Sequence, residues 1–292
     1  MQNDKEIKAL IQLLDDDDKE VLDHVYGKLI GIGPEVIPAL EQVWQSDENP
    51  LLQDRLEEII HTIQFDSLIK ETEEWVASET QELLTGAYIV SKFYYPDLLI
   101  EDVQRAVFKI KQRIWLELNY NQTALEQVQI FNQLFYNIHR FTNVQGSMEY
   151  NEFCINHVME TKKGNAISLG ILYQIIANDL NLPVYGVTLI RHYILCFCKR
   201  TLGSLSTEER PEREIMFYIN PVNRGSIFSR NEIKEYLDKL NAPHDAQFYA
   251  PATNISIINE MMSNLIDIHV HLAMEDKAND LKRLKSLLYP NH

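Results

Sequence analysis

Residues 162–183 read KKGNAISLGILYQIIANDLNLP, and this stretch decides the fold. Gly164-Asn165 is a turn signal. Behind it, Ile167, Ile171, Leu172, Ile175, Ile176 and Leu180 spread over a wide arc of a helix. A helix that apolar has little polar face to give to water, so it is expected deep in a core. Pro183 ends it. The period then changes. Val184 to Leu189, Tyr193 to Cys198 and Ile215 to Ile219 are short β-branched and aromatic runs, expected as strands. The polar segment Lys199 to Glu214 between the last two is expected to be a mobile surface loop.

A buried helix followed by antiparallel strands can carry thiol chemistry. A cysteine at the helix N-terminus is held as thiolate by the dipole. A histidine on the following strand takes its proton, and an Asp or Asn on the next strand orients the imidazole. Here the helix begins in KKGNAISLGILYQIIANDLNLP, His192 lies in RHYILCF, and Asn220 lies in FYINPVNRG.

Outward from this centre the chain reads as helical. Ile7, Leu10, Ile11 and Leu14 recur at helical spacing, and the tract Asp15 to Asp18 breaks the pattern as a solvated turn that caps the next helix. Further stripes run through Val21, Leu22, Val25 and Leu29, through Val36, Ile37, Leu40 and Val43, and through Leu52, Leu56, Ile59 and Ile63. Short amphipathic helices joined by tight turns, over residues 1–64, resemble HEAT repeats. Residues 66–150 are also expected to be helical, and their dense aromatics, from Trp75 to Phe141, to be core. After Asn254, Ile258, Met261, Leu265, Ile268 and Leu272 form one stripe, and Leu281, Leu284 and Leu288 a second that stops at Pro290. This pair looks like one tetratricopeptide-type hairpin.

Several blocks together resemble the transglutaminase-like core of the Sir-B (invasion-regulator B) type bacterial proteins. They are LLTGAYIVSKFYYPDL at 83–98, NEFCINHVMETKKGNAISL at 151–169, LNLPVYGV at 180–187, the His192 strand, and INPVNRG at 219–225. The resemblance implies an α+β, mostly helical protein. Its papain/transglutaminase-like core would be a buried helix with a small antiparallel sheet, flanked by helical repeats. The implied domains are 1–64, 65–253 and 254–292. Catalytic relatives carry Gly-x-Cys at the start of the helix. Setting Gly164-Asn165-Ala166 against it puts Ala166 at the nucleophile position, His192 at the histidine position and Asn220 at the aspartate position. Arg191, His192 and Asn220 would then line a binding cleft.

Another register would bring Ser168 to the nucleophile position. Among the thiols, Cys196 is four residues beyond His192, about 13 Å along a strand and too far for a thiol–imidazole pair. Cys196 and Cys198 read as small buried hydrophobes, and Cys154 remains as a displaced thiol. His269 and His271 sit two apart on a helical stripe, so they point away from each other and are not expected to bind a metal. No P-loop, GxGxxG or HExxH is present, and no cofactor is expected.

The bulk numbers narrow the partners. There are 27 Lys and Arg against 43 Asp and Glu, a net charge of −16. That charge repels phosphate backbones and anionic lipid, and the sequence shows no dense run of Lys or Arg. Nucleic acid and membrane are therefore not expected as partners. The start, MQNDKEIKAL, lacks the features of a signal peptide, and no stretch approaches about 18 uncharged apolar residues, so the cytoplasm is expected. The reading that follows is a non-catalytic transglutaminase-like protein working as a protein-interaction or regulatory module. The alternative is a hydrolase using His192 with Ser168 or a displaced thiol.

Overall fold

The computed structural model describes residues 2–119, 121–144, 146, 149–190, 192–199 and 214–289. It divides into two compact units, Met1–Glu71 and Thr72–His292. The segment expected as a mobile loop, 199–214, lies almost wholly outside the described residues.

The first unit holds helices α1 (Gln2–Gln12), α2 (Lys19–Ile32) and α3 (Ile37–Ser46), and most of α4 (Pro50–Ala77). Their apolar stripes meet in one core built on Leu10, Leu14, Val25, Leu29, Leu40, Leu56 and Ile59. The Asp15–Asp18 tract forms the turn between α1 and α2. Asp16 accepts from the Asp18 amide at 2.9 Å, and Asp18 caps α2 by accepting from the Glu20 amide at 2.8 Å. Arg55 donates to the Leu14 and Asp16 carbonyls, which ties α4 to the same turn.

The second unit is mostly helical with small sheets, as its sequence pattern implies. It contains α5 (Leu83–Lys92), α6 (Ile100–Trp115), α7 (Ala124–Asn132) and α8 (Ile155–Thr161). A π-helical turn, Gln133–Ile138, follows α7. Strands β1 (Thr142–Asn143) and β2 (Lys163–Gly164) pair in parallel. Then come α9 (Ala166–Asp179) and four antiparallel strands in the order β3 (Val184–Leu189), β4 (His192–Cys198), β5 (Ile215–Asn220) and β6 (Ser226–Phe228). Helices α10 (Arg230–Lys239), α11 (Asn254–His271) and α12 (Glu275–Ser286) complete it.

Helix α9 is buried from Ile167 to Ala177, as a helix apolar on all sides should be. It packs on one face of the sheet. An added Cβ at Gly170 would stand 2.4 Å from Tyr193 Cε1, so only glycine lets helix and strand approach this closely. Gln174 Oε1 accepts from the Gly186 amide at 2.8 Å and from the Tyr193 hydroxyl at 3.4 Å, while Asn178 donates to the Val184 carbonyl at 2.8 Å. The order of these contacts shows α9 running antiparallel to β3, with its start toward the His192 end of β4. The other sheet face, with Ile194, Cys196, Cys198 and Tyr218, is covered by Ile233 and Leu237 of α10.

Candidate functional site

The start of α9 is fixed by short-range bonds. The Thr142 amide donates to the Lys162 carbonyl at 2.9 Å, and the Val144 amide to the Gly164 carbonyl at 3.0 Å. Asn165 then caps the helix in a reciprocal box. Its Oδ1 accepts from the Ser168 amide, and Ser168 Oγ accepts from the Asn165 amide, both at 3.0 Å. Ser168 is 3% exposed. A Cβ at Gly164 would come within 2.6 Å of that hydroxyl, so the preceding glycine leaves room for the box. Ala166, half-buried, is the first residue of the helix proper and presents a methyl group. Ser168 is thus committed to holding the helix start together and is turned away from solvent.

His192 opens β4 opposite Leu189 and is exposed. Side chains alternate along a strand, so His192 shares its face with Ile194, Cys196 and Cys198, and Tyr193 takes the α9 face. The ring accordingly lies edge-on to Tyr236 of α10, with centroids 5.1 Å apart. His192 thus stands on the α10 side of the sheet, whereas α9, which starts with Ala166, packs on the other. The two positions lie toward the same end of the sheet but on opposite faces, because the strand offers Tyr193 to the helix. Arg191 lies outside the described residues.

Asn220 ends β5 and pairs with Ser226 of β6. Continuing the β4–β5 register, in which Leu195 faces Ile219, sets it opposite Ile194, one diagonal step from His192 on the same face. Its Oδ1 is taken by the turn, accepting from the Val222 amide at 3.1 Å and the Asn223 amide at 3.3 Å. The turn is pinned from outside as well. Asn132 Nδ2 donates to the Gly225 carbonyl at 2.8 Å, Tyr173 donates to Asn132 Oδ1 at 3.0 Å, and Tyr136 donates to the Pro221 carbonyl at 3.0 Å. Gly225 has φ +70°, and a Cβ there would strike Asn132. INPVNRG is in this structure a docked corner, with Asn220 as its Asx turn.

All three cysteines are buried and free. Cys154 is fully buried, its Sγ 3.7 Å from the Tyr150 carbonyl, and burial pushes its thiol well above the ordinary range. Cys196 and Cys198 are fully buried in the core between sheet and α10. His269 and His271 are on α11, as the helical spacing requires. His269 is fully buried with Nε2 2.7 Å from the Tyr94 hydroxyl, and burial lowers its pKa, holding it neutral. Among the described residues, no three His, Cys, Asp or Glu gather as a metal set.

The sequence profile of the transglutaminase-like superfamily matches residues 101–263, more than half of the 292. The chain belongs to the transglutaminase-like superfamily. The superfamily match runs from α6 into α11 and so takes in α9, the four-stranded sheet and α10. Relatives carry the name UPF0162 protein. One from Buchnera aphidicola subsp. Baizongia pistaciae is 26% identical over 182 residues, 61% of this chain and 62% of its own. One from Xylella fastidiosa is 22% identical over 217 residues, 70% of each chain, and one from Vibrio cholerae is 24% identical over 161 residues, 54% of each. The chain thus spans about 62% of the length of the first of these relatives. No solved structure matches the chain. Within the matched region, α9 starts with Ala166, and the Ser168 hydroxyl is bound into its N-terminal cap.

Proposed function

We propose that this transglutaminase-like protein is non-catalytic and serves as a protein-interaction or regulatory module of the Sir-B type. The observation that carries the reading is the start of α9, where Ala166 supplies only a methyl group and the Ser168 hydroxyl is closed into the Asn165 cap. A methyl group cannot attack a carbonyl, so neither amine transfer to glutamine nor peptide hydrolysis has a nucleophile there. The four helices of residues 1–64 support a HEAT-like reading of that part. The α11–α12 pair, residues 254–292, supports a tetratricopeptide-like one, with 65–253 as the transglutaminase-like domain between them. Such helical hairpins offer protein-binding surface. The partner is accordingly a protein. Nucleic acid and membrane are disfavoured by the charge of −16. No helix among the described residues is long and apolar enough to cross a membrane. We place the protein in the bacterial cytoplasm, acting without a cofactor.

The test is an activity assay on the full chain. It should neither incorporate a labelled primary amine into a glutamine-containing protein nor cleave a peptide library. Turnover that disappears in both His192→Ala and Ser168→Ala would reinstate the hydrolase. Turnover that survives both but is lost on blocking thiols would point to a displaced cysteine.

A further inference from the structure

Although the sequence contains no dense run of basic residues, the second unit of this acidic chain assembles a cationic cleft. Arg105 and Lys109 are one turn apart on α6, and Arg113 is one turn further. Arg105 and Lys109 line a cleft of about 380 Å³ with His139, from just after the π-helical turn, and Lys162, which ends α8. Asp102 also lines it and is held by Arg105 at 3.1 Å, so one carboxylate offsets one of the cations. Lys109 has no ion pair among the described residues.

Two details set this cleft apart from a solvated patch. Lys162 is half-buried and holds a left-handed backbone, φ +63°, at a helix end where glycine would be easier. Its ammonium donates to the Met159 carbonyl and lies 4.8 Å from the centre of the Phe141 ring. Burial lowers its pKa, so the cation is held where it is poorly solvated. His139 Nε2 is shut off from solvent and has no hydrogen-bond partner among the described residues. Its pKa is lowered by burial, then by the charges of Lys162 and Arg113. Buried polar atoms ordinarily have partners. Cations converging on one cleft beside a half-buried imidazole make its wall electropositive, which suits an oxyanion.

We propose that this cleft is an anion site that takes a phosphate group, free or carried on a small molecule. Lys109 and Lys162 supply charge-assisted hydrogen bonds, Arg105 is a third donor group, and the His139 ring forms part of the wall. Two lining cations, Lys109 and Lys162, remain beyond the Arg105 offset by Asp102, with Arg113 one turn further along α6, and together they match a dianion better than a single carboxylate. The volume falls at the small end of ligand sites, roughly 300–1,000 Å³, so it suits a small molecule. The net charge of −16 over the whole chain opposes a nucleic-acid backbone.

The site is tested by calorimetric titration of the full chain with inorganic phosphate and with glycerol phosphate. Chloride and succinate serve as controls at equal ionic strength. The His139 ring resonance is followed in parallel. The expected result is saturable one-to-one binding of at least one phosphate, with the resonance moving to saturation at the same midpoint. Lys109→Gln and Lys162→Gln should each weaken binding by at least about tenfold, the loss of one hydrogen bond to a charged group. Lys109 is exposed, so its substitution leaves the fold intact. Tighter binding of glycerol phosphate assigns an esterified ligand, and tighter binding of inorganic phosphate assigns the free ion. A response that is not saturable, that succinate or chloride reproduces, or that neither substitution changes would overturn the proposal.

Discussion

The aromatic ring of Tyr193 lies over Gly170, so close that an added Cβ would stand 2.4 Å from Tyr193 Cε1. This contact sets the separation of α9 from the sheet and decides which β4 side chains face the helix. Gly170→Ala should therefore push helix and strand apart. Overpacking of this kind costs about 1–3 kcal/mol, and a fully buried neighbourhood favours the upper end. Urea denaturation followed by tyrosine fluorescence measures it. An unchanged midpoint would mean that α9 does not pack here.

The cap at the start of α9 makes a second prediction. Asn165→Ala removes the acceptor for the Ser168 amide and leaves that buried N–H without its partner. The expected loss is about 1 kcal/mol, within the range of about 0.5–2 found for such caps. The same denaturation experiment reads it, and a loss below a few tenths would show that the box is not formed.

Much of this arrangement is legible in the sequence. KKGNAISLGILYQIIANDLNLP has apolar residues on every side of a helix and so announces its burial, and the three strand runs are found within a residue of their expected places. Helix α10 and strand β6 were not expected. RNEIKEYLDK buries only Ile233 and Leu237, too short a stripe to stand out, although Ser229 and Glu232 carry the spacing of a capping box. The face of His192 was also out of reach. HYILCFC is apolar on both faces, so no alternation tells which residues meet α9. Only the contact of Tyr193 with Gly170 settles that. The cationic cleft joins residues from 102 to 162, and no local run of charge announces it.

Thiol reactivity offers a third check. Cys154, Cys196 and Cys198 are all fully buried, and burial holds the Cys154 thiol protonated at neutral pH. Alkylation at neutral pH should be slow in the native state and rapid in urea, with the native rate following the opening of the fold. Rapid labelling of one cysteine in the native protein would identify a reactive thiol that this account does not contain.

Acid should weaken the second unit through His269. Its pKa is lowered by burial first and by Lys277 second, so the folded state prefers the neutral ring bonded to Tyr94. The unfolded ring titrates near 6.5. A group with a depressed folded pKa contributes stability that is present above its unfolded pKa and lost as pH falls through the folded one. Unfolding free energies at pH 7.5 and about 5.5 should differ, and His269→Gln should reduce the difference. An identical slope in the variant would show that His269 is not held neutral.

The central claim is that Ala166 and His192 lie on opposite faces of the sheet, so the fold keeps no thiol–imidazole pair even if a thiol is supplied. The most direct measurement is the alkylation rate of the Ala166→Cys thiol against pH, read by peptide mapping so that the native cysteines stay in place. It is compared with the same thiol in the His192→Ala background. The helix N-terminus alone should bring the midpoint somewhat below the ordinary value of about 8.5. The account predicts that the two midpoints coincide. A midpoint below about 7.5 that rises when His192 is removed would mean that the imidazole reaches the start of α9, and would contradict it.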